Sequence, residues 1–119
     1  MSLLVMIALG GALGAVARFV IDQAVMKRMR TVMPWGIWTV NLSGSLMLGL
    51  LIGATLQGPT AIALGTGFLG AYTTFSTWMY QSLSLIEQGA WRVAILNIVG
   101  PALLGPPAAL AGIAIGGML

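Results

Sequence analysis

Cysteine and histidine are both absent from the 119 residues, and charged side chains make up only 6% of them. These absences exclude disulfides, thiolate and imidazole metal ligands, cysteine nucleophiles and every Ser-His-Asp arrangement. The five basic and two acidic residues are too sparse for a nucleic-acid-binding face. Few side chains remain that could perform enzymatic chemistry, so we predict that the protein is not an enzyme.

The residues that are present have the composition of a membrane protein. Hydrophobic side chains make up 59% of the chain and the mean hydropathy is +1.02, well above the range of soluble domains. A membrane span needs about 20 mostly apolar residues, so the length admits four spans with short loops. We predict one all-α transmembrane domain over residues 1–119, with spans at about 3–26, 34–56, 61–86 and 91–118.

The predicted loops carry a one-sided charge. The first lies at the basic cluster 27–30, the second at 57–60 and the third at 87–89. The first and third loops share one side of the membrane and hold four basic residues, Lys27, Arg28, Arg30 and Arg92. Because Lys and Arg in short loops stay in the cytoplasm, we predict a single orientation with both termini extracytoplasmic.

Glycines recur four residues apart in three pairs, Gly10/Gly14, Gly49/Gly53 and Gly112/Gly116. This spacing lets helix backbones approach closely in lipid, either within one chain or between two. Four short helices leave little interior for a transport pathway. We therefore predict that the functional unit is a dimer.

Polar residues in the first two spans need a partner or a function. Arg18 and Asp22 share a helix face, and two interpretations are open: an ion pair near the cytoplasmic end, or a role for Arg18 in an anion vestibule. In the second span Asn41 and Ser45 share a face. The Asn41 amide can donate two hydrogen bonds, to a neighbour or to a dehydrated anion.

The third span contains a run of glycines followed by hydroxyl residues, from Gly65 to Trp78. Its start matches G-x-G-x-x-G, but dinucleotide binding requires a preceding strand, and both flanks here are apolar helix. Glycines and hydroxyls weaken a helix, so we predict a break near the middle of this span; a straight helix with self-bonded hydroxyls is the alternative. Carbonyls freed at such a break can hold a cation. Phe75 and Trp78 share a face, and the positive edges of their rings can contact an anion.

Three motifs in this order resemble the Fluc (CrcB) family of fluoride channels: G-G-x-x-G-A-x-x-R ending at Arg18, G-x-x-x-V-N-x-x-G from Gly36 to Gly44, and G-x-x-G-x-x-T-T-F-S-T from Gly67 to Thr77. The resemblance implies four-helix subunits that pack antiparallel as a dimer, with two narrow pores at their interface. It implies passive export of fluoride across the inner (plasma) membrane of a prokaryote. The implied partners are fluoride, the lipid membrane and a second subunit of opposite orientation.

The resemblance also implies the site residues. A structural sodium ion, which is not transported, would be held by the backbone carbonyls of Gly70 and Thr73. Arg18 would shape the entrance or the local potential. The residues implied for the fluoride path are Asn41, Thr74, Phe75, Ser76, Thr77 and Trp78.

Several positions depart from the family pattern. In the second and third spans these are Ile37, Ala71, Trp78 and Gln81, where Thr, Gly, Phe and an acidic residue are usual. In the fourth span Pro101, Gly105 and Ala109 stand where polar side chains usually line the path, and the Gly-Pro pairs should kink the helix. With the one-sided charge, this predicts one half of a heterodimer in which one pore is degenerate; a homodimer is the alternative.

Two other functions fit the length and the helix count. A small proton-coupled multidrug exporter would need a titratable carboxylate within the membrane, for which only Asp22 and Glu87 are available. The other alternative is a non-conducting subunit that supplies packing and sodium coordination to a conducting partner.

Overall fold

The computed structural model describes residues 2–119, and every regular element in this range is helical. Three of the helices are long and apolar enough to cross a membrane, α1, α2 and α6. The elements are α1 (Leu3–Met29), α2 (Trp35–Gly53), α3 (Gly58–Ile62), a π-helical segment (Ala63–Leu69), α4 (Gly70–Tyr72), α5 (Ser76–Glu87) and α6 (Trp91–Gly116). The predicted all-α class is confirmed over the residues described.

Helix α1 begins at a serine cap and ends at a left-handed residue. The Ser2 hydroxyl accepts the backbone N–H of Val5, which satisfies one of the free amides of the first turn. At the other end Lys27 and Arg28 lie in the last helical turn, and Arg30 has φ 39°. The prediction of a loop from residue 27 is therefore wrong. Basic side chains favour the negative end of a helix dipole, so the helix continues through them.

The third span is interrupted rather than straight. Helix α3, the π-helical segment and α4 follow one another directly, and residues 73–75 then separate α4 from α5. Thr73 has an extended backbone, with φ −78° and ψ 157°. The interruption lies where the glycine run gives way to the hydroxyl run. It divides the span into two shorter helical parts.

Glycine pairs bring the helices into backbone contact within the chain. A Cβ atom at Gly14 would overlap the Phe68 carbonyl oxygen, so α1 lies directly against the π-helical segment. Cβ atoms at Gly49 and Gly112 would meet backbone atoms of the facing helix, which joins α2 to α6. Cβ atoms at Gly10, Gly53 and Gly116 would also come too close to backbone atoms of a neighbouring segment. All three predicted pairs therefore pack helices of one subunit.

The interior of the subunit is small and its surface is apolar. Val40, Leu69 and Tyr72 form the buried cluster at the centre. Large side chains such as Leu13 and Leu103 are more than half exposed, as expected when lipid is the solvent. The longest dimension is 48 Å, enough to cross a hydrocarbon core of about 30 Å.

Candidate functional site

A cleft of about 540 Å³ lies on the surface of the subunit, between α2, the interrupted span and α6. It contains most of the residues predicted for the ion sites. The lining includes Asn41, Ser45, Gly70, Thr73, Thr74, Phe75 and Trp78, together with Pro101, Ala102, Gly105, Pro106 and Ala109 of α6.

Asn41 holds the interruption of the third span in place. Its Nδ2 donates to the Thr74 carbonyl oxygen at 2.9 Å, and its Oδ1 accepts the Thr74 backbone N–H at 2.9 Å. A side-chain amide is thus paired with one peptide unit through two hydrogen bonds. One Nδ2 hydrogen remains for another acceptor, because a primary amide has two donors.

The pairing with Asn41 withdraws a helical donor from the Gly70 carbonyl. In a continuous helix the Thr74 N–H would donate to Gly70, four residues earlier, but it donates to Asn41 Oδ1. The Thr73 carbonyl loses its donor in the same way, because the Thr77 N–H donates to Thr74 Oγ1 at 3.2 Å. Both carbonyls predicted to bind a cation are therefore released from the helical pattern. Carbonyl oxygens without a helical donor are available as cation ligands, and the sodium ion at this place stays a prediction.

Phe75 presents an aromatic ring at the surface of the cleft. The residue is 70% exposed, and it lies in the interruption between α4 and α5, directly before Ser76. The ring meets Trp78 edge to face, with centroids 5.8 Å apart and planes at 89°. Trp78 is thus the aromatic neighbour that orients the Phe75 ring within the subunit.

The hydroxyl groups next to Phe75 do not all reach the cleft. Thr74 is buried and lines it, and its Oγ1 lies 3.5 Å from Ser76 Oγ. Ser76 is exposed and Thr77 is half-buried, and both lie outside the lining. Their place on the fluoride path stays a prediction.

Trp78 lines the cleft, but its polar atom is already used. The indole Nε1–H donates to the backbone carbonyl of Asn97 on α6. Trp78 can therefore offer the cleft its ring carbon edge and face, but no N–H donor.

The α6 side of the cleft carries no polar side chain among its lining residues, which are Pro101, Ala102, Gly105, Pro106 and Ala109. The three positions at which the resemblance implies polar side chains, Pro101, Gly105 and Ala109, thus do face the cleft. Helix α6 continues through Pro101, Pro106 and Pro107. Because its lining residues are all apolar, the α6 wall of the cleft is apolar.

Asn97 is not among the predicted site residues, although it is fully buried at the centre of a polar network. Its Oδ1 accepts Trp38 Nε1–H at 2.8 Å and its Nδ2 donates to Ser82 Oγ at 2.8 Å. The Ser82 hydroxyl in turn donates to the Trp78 carbonyl at 2.9 Å. A lone amide in an apolar span is a sequence signal for such a network.

Arg18 lies outside the cleft. The ion pair between Arg18 and Asp22 is not formed within residues 2–119: Asp22 Oδ1 is buried without a hydrogen-bond partner. That oxygen lies against Gly36, where an added Cβ would overlap it. Arg18 and Asp22 therefore form no direct ion pair among the described residues, and the role of Arg18 at an anion entrance stays a prediction.

Two further departures from the family pattern lie inside the subunit. Ile37 is buried, with 2% of its surface exposed. Gln81 Oε1 is buried and has no hydrogen-bond partner among the described residues. Neither residue lines the cleft.

Comparison with known proteins identifies related sequences over most of the chain. Residues 5–113 match the family described as "CrcB-like protein, Camphor Resistance (CrcB)". The chain is 45% identical over 102 residues to Fluoride-specific ion channel FluC 2 of Mycobacterium tuberculosis, covering 86% of this chain and 81% of that protein. It is 42% identical over 118 residues to Fluoride-specific ion channel FluC of Magnetococcus marinus, covering 95% and 96%. Fluoride-specific ion channel FluC 1 of Nocardia farcinica is 48% identical over 94 residues, covering 79% and 66%.

Proposed function

This chain belongs to the CrcB family, and from that premise we propose that it is a subunit of a fluoride-selective channel that exports cytoplasmic fluoride passively. It is a multi-pass membrane protein, and its curated relatives are named as ion channels rather than enzymes. The observation that carries the proposal is the cleft in which Asn41, Thr74 and Phe75 lie beside an interrupted helix.

A second subunit of opposite orientation would complete the pore. The cleft is open at the surface, and irregular backbone at membrane depth is tolerated only where protein or water covers it. Phe75 and Gly70 are exposed on that surface. An antiparallel partner would cover the interruption and turn the open cleft into a narrow path.

The groups around the cleft suit a small, strongly hydrated anion. A selective path must replace water by close donors yet bind weakly enough to release the ion. The free Nδ2 hydrogen of Asn41, the Thr74 hydroxyl and the ring edge of Phe75 are donors of this kind, and none carries a full charge. In the proposal the hydroxyls of Ser76 and Thr77 extend the path, the Trp78 ring borders it, and Arg18 raises the potential at its entrance.

The carbonyls of Gly70 and Thr73 would hold the structural sodium ion. Both lack the donor that a continuous helix would give them. A bound sodium ion supplies a fixed positive charge that neutralises these oxygens. In the proposal the sodium ion has a structural role: it is held at the subunit interface and is not transported.

The apolar α6 wall supports pairing with a different chain. Pro101, Gly105 and Ala109 offer no donors, and two copies of this subunit would share that lack. The basic residues near the loops are also one-sided, which favours one fixed orientation in a prokaryotic inner membrane, with extracytoplasmic termini. The numbered names FluC 1 and FluC 2 among the relatives are compatible with two distinct subunits.

The same apolar wall favours one alternative, a non-conducting subunit that supports the path of its partner. The multidrug exporter has no comparable support, because the chain belongs to the CrcB family and neither Asp22 nor Glu87 lines the cleft.

Growth of a bacterial strain without its own fluoride exporter tests the proposal. The chain is expressed alone, with an oppositely oriented paralogue, and as Phe75→Ala with the same paralogue. We expect fluoride resistance from the native pair and none from the Phe75→Ala pair. Resistance from the chain alone would refute the obligate heterodimer. Resistance that survives Phe75→Ala would assign the path to the partner.

A further inference from the structure

Pro101 removes a hydrogen-bond donor from the middle of α6. In a helix the N–H of residue 101 donates to the carbonyl of residue 97, but proline has no N–H. Asn97 is fully buried, and an unpaired carbonyl at membrane depth is costly. The Asn97 carbonyl therefore needs a donor from outside α6.

Trp78 supplies that donor across the helix interface. Its Nε1–H donates to the Asn97 carbonyl oxygen, and it comes from α5, the second half of the interrupted span. A phenylalanine at position 78 has no side-chain N–H and could not make this bond. The two departures at positions 78 and 101 thus meet at one carbonyl.

The Asn97 side chain fixes the same contact from the other side. It joins Trp38 of α2 to Ser82 of α5 through its two amide groups. Gly100 admits the Trp38 ring, because a Cβ there would overlap it. Helices α2, α5 and α6 therefore meet at Asn97, with the Trp78 indole held between α5 and α6.

We propose that Trp78 and Pro101 act as a matched pair, in which Pro101 frees the Asn97 carbonyl and the bound Trp78 indole sets the orientation of the Phe75 ring. The edge-to-face contact between Trp78 and Phe75 transmits this constraint to the cleft. Trp78 is a positioning residue rather than an anion donor, because its N–H is engaged. The proposal rests on the proposed function for its effect on fluoride, and on the hydrogen bond alone for its structural part.

A double-mutant cycle tests the pair with Trp78→Phe, Pro101→Ala and both changes together. Pro101→Ala restores an N–H that competes with the Trp78 indole for the Asn97 carbonyl and so weakens the indole hydrogen bond. Trp78→Phe leaves the carbonyl unpaired, whereas the double variant leaves neither group unpaired. We expect each single change to lower fluoride efflux about tenfold and the double variant to recover to within about threefold of the native rate.

Trp91→Phe is the matched control, because Trp91 is exposed at the start of α6 and takes no part in the network. Its efflux should equal that of the native chain. The proposal would be overturned if the fold-loss of fluoride efflux in the double variant equals the product of the two single losses. It would also be overturned if Trp78→Phe has the native efflux rate.

Hydrogen exchange of the indole N–H separates this inference from the proposed function. The Trp78 signal is assigned by its loss in Trp78→Phe, in the assembled channel. We expect it to be protected in the native protein and to exchange at least about tenfold faster in Pro101→Ala, because the restored backbone N–H then competes with the indole for the Asn97 carbonyl. Equal exchange in the two proteins refutes the pair. Absence of fluoride efflux with unequal exchange refutes only the channel function.

Discussion

The side-chain amide of Asn41 pairs with both backbone polar groups of Thr74, through two hydrogen bonds of 2.9 Å. One residue of α2 thereby takes the place of the helical bonds that the third span gives up. The pairing leaves the Gly70 carbonyl without its helical donor. The interruption and the candidate cation site therefore have a common cause.

Replacing Asn41 by leucine should destabilise the subunit. The change keeps the size of the side chain but leaves the Thr74 N–H and carbonyl unpaired, at a cost of about 2–4 kcal/mol. Thermal unfolding of the purified protein in detergent measures it. Ser45→Ala is the control, because Ser45 Oγ donates only to the Asn41 carbonyl of its own helix. Similar midpoints for the two variants would contradict a role for Asn41 at the break.

Gly14→Ala should weaken the contact between α1 and the π-helical segment. The added Cβ would overlap the Phe68 carbonyl oxygen, and backbone shifts of this kind cost about 1–3 kcal/mol. Gly11→Ala is matched to it, since its Cβ would meet only ordinary contacts, the nearest at 3.8 Å. Gly14→Ala should therefore have a lower thermal unfolding midpoint than Gly11→Ala. Equal midpoints for the two variants would contradict the close approach of α1 to the π-helical segment at Gly14.

Phe75→Ala should reduce fluoride transport without unfolding the subunit. The ring is 70% exposed, so its loss removes little packing within the subunit. Loss of one ring-edge contact to the anion should slow efflux by at least about tenfold, or about 1.4 kcal/mol in the barrier. Tyr80→Ala should conduct normally, because Tyr80 lies on α5 outside the lining of the cleft and is 73% exposed. Equal efflux from both variants would remove Phe75 from the path.

Removing sodium should destabilise the assembled channel. A ligand present at 100 times its dissociation constant stabilises the bound state by about 2.7 kcal/mol. Replacing sodium by N-methylglucamine, whose cation is too large for two carbonyls, should lower the thermal midpoint, and added sodium should restore it. The Asn41→Leu variant should respond less, because Asn41 no longer holds the interruption in which the Gly70 and Thr73 carbonyls lie. A sodium-independent midpoint would argue against the site.

The helical class and the region of the break could be predicted because they depend on local chemistry. Glycines followed by hydroxyl residues weaken a helix wherever they occur, and the interruption at 73–75 lies within that run. The first helix end was misplaced because basic residues indicate a loop and a favourable helix C-terminus equally well. Spacing alone could not decide between the two.

The contacts between spans could not be predicted from the sequence. Asn41 and Thr74 are 33 positions apart, and Trp38 and Asn97 are 59 apart. Such pairs depend on how the helices pack, which glycine spacing permits but does not specify. Asn41, Gly70, Thr73, Thr74, Phe75 and Trp78 do share one cleft, whereas Arg18, Ser76 and Thr77 lie outside its lining.

Ion efflux from liposomes tests the central claim most directly. The chain is reconstituted with an oppositely oriented paralogue, and a fluoride electrode and a chloride electrode follow the release of both ions in parallel. The account predicts rapid loss of fluoride with chloride retained, and a fluoride rate that falls when only this chain carries Phe75→Ala. Equal release of both ions, or no release of fluoride, would contradict it.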